Sequence, residues 1–121
     1  MQHSTTTPTK AQQKRFDRIQ AIGCVACTID GIYQNPCEIH HLVSGMKRLG
    51  HDYTCGLCAM HHRGVVPTGY TYDQVRKASG PSMALEPDAF RKHYGTQEEL
   101  LEFQNALLDH YVECEQWRDE E

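Results

Sequence analysis

Apolar residues fall into two kinds of stretch along this chain. Towards both ends they recur at helical spacing, and between them they come in short runs cut by Gly, Pro, Asn and Asp. Phe16, Ile19 and Ile22 share one helical face. Thr9 with Gln12 makes a capping box ahead of them, and Gly23 stops the helix after Ile22. Leu100, Phe103, Leu107 and Tyr111 form a stripe on a last helix that runs from about Gln97 to beyond Tyr111. A second capping box, Thr96 with Glu99, opens that helix, and its stripe is expected to pack against the N-terminal helix.

The middle of the chain reads differently. Cys24 to Cys27 is a knuckle, followed by a loop over 28–36 with turn signals at Gly31 and Asn35-Pro36. Cys37 to Val43 and Tyr53 to Leu57 read as short strands. Ser44 to His51 between them is a loop carrying Lys47 and Arg48. Cys58 to Arg63 begins a short helix. Gly64 to Pro81 is an irregular connection with a helical turn near Tyr72 to Ala78, and Pro87 opens a helix ending near Gly95. This pattern predicts an α+β fold with one domain over 9–121. Its core spans 24–64, its C-terminal helical part spans 72–118, and a disordered tail occupies 1–8.

Composition narrows the function. The 121 residues hold six cysteines and eight histidines, six of the latter between His40 and His93. The polar N-terminus has no signal-peptide character and no apolar run is long enough to span a membrane, so a soluble, intracellular protein is expected. In a reducing compartment the cysteines read as metal ligands rather than disulfides. The net charge of −4 hides an asymmetry. Lys10 to Lys77 holds nine Lys/Arg against five Asp/Glu, whereas Ala78 to Glu121 holds three against eleven. The basic half is the half with the candidate ligands, as a nucleic-acid face requires, while the acidic half reads as a solvated helix.

Cys24-x-x-Cys27 is followed about thirty residues later by Cys58-x-x-His61. Two knuckles at that separation make a closed tetrahedral site of three thiolates and one imidazole, which suits structural zinc. A redox dithiol is the competing reading for Cys24 and Cys27, but no parallel βαβ pattern surrounds them. His40, His41 and His62 remain. Neighbours on a strand point to opposite faces, so His40 and His41 are expected to do different work. One strand imidazole with His62 suits a second metal with open positions, and the other suits a general base.

These residues resemble a known family. Cys24-x-x-Cys27, Glu38-Ile39-His40-His41-Leu42 and Leu57-Cys58-x-x-His61-His62 resemble the HNH endonucleases of the ββα-metal (His-Me finger) group. Arg48 to Asp52, Leu57 to Gly64 and the stretch from Ala89 to Leu101 narrow the likeness to the phage recombination-enhancement nucleases, which act on DNA with the recombinase RecA. The likeness covers about residues 14–108. It implies a zinc-stabilised ββα-metal core flanked by N- and C-terminal helices. It also implies His41 as general base, His40 and His62 as ligands of a catalytic Mg2+, Mn2+ or Zn2+, and Cys24, Cys27, Cys58 and His61 as the zinc site. The family's middle Asn has no counterpart here. His51 and Asp52 stand in that region, His51 expected towards the phosphate and Asp52 accepting backbone hydrogen bonds. The segment from Gly80 to Ala84 lacks the His that some relatives carry. Cys37 and Cys55 read as small apolar residues of the strands.

The expected activity is metal-dependent hydrolysis of DNA phosphodiesters, linked to recombination. Lys47, Arg48 and Arg63 are the candidates for gripping the backbone, and a RecA-type filament is the candidate partner. The alternatives are a non-catalytic zinc-stabilised DNA-binding module and a zinc-organised protein-interaction module.

Overall fold

The computed structural model describes residues 6–45 and 47–120, without the side chains of 119 and 120. Of the segment expected as a tail, residues 1–5 lie outside the described residues. The first helix, α1 (Lys10–Ile22), starts at Thr9, where both halves of the capping box with Gln12 form. It ends at Gly23, whose φ of +94° opens a sharp corner. A Cβ there would come within 2.7 Å of the Asn35 carbonyl, so only glycine lets the returning loop pass.

The knuckle does not open directly into a loop as the sequence suggests. Cys24 caps a short helix, α2 (Val25–Ile29), accepting a bond from the Cys27 N–H on its sulfur. The expected strand Cys37 to Val43 divides in two. Its first part, β1 (Glu38–His41), pairs antiparallel with β4 (Thr54–Leu57), setting Glu38 against Leu57 and His41 against Thr54. Leu42 then leaves the ladder and buries itself, its N–H donating to the Tyr53 carbonyl. The basic loop folds back as a small hairpin of β2 (Val43–Ser44) and β3 (Lys47–Arg48). Helix α3 (Ala59–Arg63) follows β4 directly.

The C-terminal part is more helical than its sequence suggests. The expected turn near Tyr72 is a full helix, α4 (Tyr72–Ser79), held by a Thr71–Gln74 capping box. Helix α5 (Pro87–Tyr94) starts on Pro87 as expected. The last helix, α6 (Gln97–Glu120), packs against α1, with Arg15 donating to Asn105 and Arg18 paired with Glu115. Its buried face is rotated from the expected stripe. Leu100, Gln104 and Leu108 point into the core, and Phe103 and Leu107 flank them. A glutamine holds the central position because its Oε1 accepts the Gly56 N–H at 2.9 Å, satisfying a backbone donor that would otherwise be orphaned in the core.

Strand β4 is buried along its whole length, between α1 and α6 on one side and the knuckles on the other. Its small residues permit this. A Cβ on Gly56 would sit 2.7 Å from the Cys37 sulfur and 2.8 Å from Ile19 Cγ2. The result is a small α+β fold in which strand β1 and the short helices α2 and α3, with their capping cysteines, present the candidate ligands. No described helix is long and apolar enough to cross a membrane.

Candidate metal centre and active site

Cys24, Cys27, Cys58 and His61 converge, all buried, with their donor atoms within 4.8 Å of one another. His61 Nδ1 lies 3.6 Å from the sulfurs of Cys24 and Cys27 and 3.2 Å from that of Cys58. Cys27 and Cys58 sulfurs are 4.0 Å apart. Ligands around tetrahedral zinc, with Zn–S about 2.3 Å and Zn–N about 2.0–2.1 Å, stand roughly 3.6–3.8 Å apart. The donor set and its spacing therefore fit zinc. Each knuckle also turns one N–H back onto a sulfur, Cys27 onto Cys24 and His61 onto Cys58.

The surrounding shell completes the fit. His61 Nε2 donates to the Ser79 carbonyl at 2.7 Å, which leaves Nδ1 bare for an ion. The Tyr94 hydroxyl stands 3.1 Å from the same Nε2 and donates to Asp30. The Asn35 amide donates to the Cys27 sulfur. Crowded donors disturb each other's protons. Hydrogen bonds with Cys27 and Cys58 push the Cys24 thiol far up, and hydrogen bonds with Cys24 and Cys27 hold Cys58 far down. A dication relieves such crowding by accepting the thiolates together.

A second group lies on the other side of α3. His40 on β1 and His62 on α3 face each other, Nδ1 to Nε2, at 3.2 Å. Their outer partners fix both tautomers. The Gln97 amide is pinned to Val43, its Oε1 taking the Val43 N–H at 3.2 Å and its Nε2 donating to the Val43 carbonyl at 3.0 Å. The atom facing His40 Nε2 at 3.4 Å is therefore an acceptor, and that nitrogen carries the proton. Glu38 accepts from His62 Nδ1 at 2.9 Å. The two remaining ring nitrogens are bare and point at one another. That arrangement is repulsive on its own and suits a shared cation. Burial first, then the nearness of His62, pushes His40 down to about 4.

His41 points to the opposite face, as strand alternation requires. Its Nε2 meets His51 Nδ1 at 2.9 Å, and His51 Nε2 meets the Thr6 carbonyl at 2.6 Å. His41 Nδ1 has no hydrogen-bond partner among the described residues and is shielded from solvent. Burial first, then Arg48 and His51, lower the affinity of His41 for a proton. His51 is buried behind His41 rather than turned outward, and both its ring nitrogens are engaged. Asp52 is exposed and accepts from the Gln12 side chain rather than from the backbone.

The expected DNA-gripping residues separate. Lys47 and Arg48 are exposed on the β2–β3 hairpin, without a side-chain hydrogen bond or ion pair among the described residues. Arg63 is committed to Glu38, bonding both carboxylate oxygens. That contact, with the one to His62, holds Glu38 at about 2. Cys55 is fully buried and Cys37 half-buried, donating to the Ile19 carbonyl.

Glu38, Gln97, Tyr94 and Asn35 play supporting roles that sequence reasoning did not assign. Only Glu38 left a signal, its place two residues ahead of His40.

The family described as recombination enhancement, RecA-dependent nuclease matches residues 8–109, a span that takes in the four-donor centre, the open histidines and the first half of α6. By that match the chain belongs to the recombination-enhancement, RecA-dependent nuclease family.

Proposed function

We propose that the chain is a divalent-metal-dependent DNA endonuclease with a zinc-stabilised ββα-metal core of the HNH type, working in recombination alongside a RecA-type filament. The carrying observation is the pair of bare nitrogens, His40 Nδ1 and His62 Nε2, 3.2 Å apart, with the next residue along β1, His41, holding an unpartnered nitrogen among the described residues. Order and spacing of elements support the reading: an antiparallel pair brings β1 beside β4, and α3 returns His62 to β1.

In this reading His40 and His62 hold the catalytic ion. When bound, it supplies neutralising charge for the scissile phosphate and the leaving oxygen. His41 takes the proton of the attacking water on Nδ1. Glu38 and Gln97 keep the two ligand rings in their metal-binding tautomers. Lys47 and Arg48 hold the phosphate backbone from the hairpin. Cations on phosphate carry no base identity, so cleavage has low sequence preference. Recombinase dependence rests on the family alone.

The test is cleavage of plasmid and single-stranded DNA with Mg2+, Mn2+ or Zn2+, with and without a recombinase filament. His41→Ala should abolish cleavage while leaving zinc content unchanged. His40→Ala and His62→Ala should raise the metal concentration required. Absence of cleavage by the wild type under every condition would leave a zinc-stabilised DNA-binding module.

A further inference from the structure

We infer that the segment from Thr6 to Gln12 is a strap that sets the tautomer of His41, acting through His51 as a positioning residue. The inference rests on the reading of His41 as the base, and it adds the element that selects which nitrogen accepts the proton.

The constraint passes inward from the strap. A backbone carbonyl can only accept, so at 2.6 Å from Thr6 O the His51 Nε2 must carry a proton. In the neutral ring its Nδ1 is then bare. That bare nitrogen lies 2.9 Å from His41 Nε2, which must donate to it. In the neutral His41 ring, Nδ1 is consequently the basic atom. It is also the atom that no group among the described residues satisfies. An unpartnered buried nitrogen at this point is a place kept for a water that enters with the substrate.

Two further observations tie the strap to this task. Phe16 meets both rings edge-on, His51 with centroids 5.6 Å apart and His41 at 6.1 Å, so both rings pack against one side chain of α1. The same segment also holds the next loop residue. Gln12, fixed by its capping box with Thr9, donates its Nε2 to Asp52 at 3.2 Å. His51 and Asp52 are thus both anchored to one stretch of chain, 45 and 40 positions away. Once the strap is removed, His51 is free to exchange tautomers. His41 can then carry its proton on Nδ1, where it accepts nothing.

The test is the ring-nitrogen NMR spectrum of His41 in the 121-residue chain, at alkaline pH where the rings are neutral. It is compared with a variant beginning at Thr9, with His51→Leu and with His51→Asn, whose amide oxygen restores an acceptor for His41. The wild type should show Nε2 protonated and Nδ1 bare. The truncated chain and His51→Leu should show averaged nitrogens. Their kcat should fall by about tenfold or more, part of the roughly 10²–10⁴-fold that a positioned base supplies, with KM for DNA little changed. His51→Asn should recover both the spectrum and most of kcat. A wild-type His41 protonated on Nδ1 overturns the inference, and so does a truncated chain with unaltered spectrum and kcat. Full cleavage by His41→Ala overturns the base assignment instead, and the spectra still decide whether the strap sets the tautomer.

Discussion

Gln97 and His40 meet at 3.4 Å across 57 positions of sequence, the glutamine oxygen facing the histidine Nε2. The first residue of α6 therefore decides which nitrogen of His40 is left bare. Gln97→Leu removes that decision and the brace to Val43. Outer partners of metal-bound histidines are typically worth about 10–100-fold in affinity. Titration of Mn2+ into the variant should show weakening in that range with zinc content unchanged. Equal Mn2+ affinity in the variant and the wild type would mean that the tautomer is set elsewhere.

Zinc removal should unfold the chain. Apparent zinc-binding energies in small zinc domains are about 10–16 kcal/mol. Total stabilities of native proteins are only about 5–15 kcal/mol. A strong chelator should therefore abolish the near-ultraviolet dichroism and the cooperative melt, and Cys58→Ser should do the same without chelator. Metal analysis should find one tightly held zinc per chain. A chelated chain that melts as the native one does would remove the four-donor centre from the stability argument.

Gly56→Ala should destabilise. The new methyl group meets the Cys37 sulfur at 2.7 Å and Ile19 Cγ2 at 2.8 Å, in a strand buried on both faces. Overpacking of this kind costs about 1–3 kcal/mol. Urea denaturation should report the loss, and adding Cys37→Ala should recover part of it. A double variant no more stable than the single one would show that Ile19 is the obstacle.

Lys47 and Arg48 should dominate the salt dependence of DNA binding. Removing one cation from a phosphate lowers the slope of log K against log salt by about one. Fluorescence anisotropy across a salt series should show this for Lys47→Ala and Arg48→Ala. Arg63, already bonded to both oxygens of Glu38, should contribute less than either. A slope unchanged in both hairpin variants would move the DNA path off the hairpin.

What the sequence made legible was local. The Thr9–Gln12 and Thr96–Glu99 caps and the two knuckles each depend on residues three positions apart, Pro87 at a helix start depends on one residue, and all appear where expected. Strand alternation was enough to part His40 from His41. The supporting contacts were not legible. His40–Gln97, His51–Thr6 and Gly56–Gln104 span 57, 45 and 48 positions, and single polar residues carry no periodic mark of a distant partner. Gln104 shows the cost. Hydropathy assigns it to solvent, and only the stranded Gly56 N–H explains why it is fully buried.

His61 and His62 are neighbours on one short turn of helix, the first turned to the four-donor centre and the second to His40. That adjacency couples the two groups through one turn of backbone, so a displacement of His61 carries His62 with it. On the proposed function, exchange of zinc for a larger thiophilic ion would be felt as altered affinity at the neighbouring pair of imidazoles.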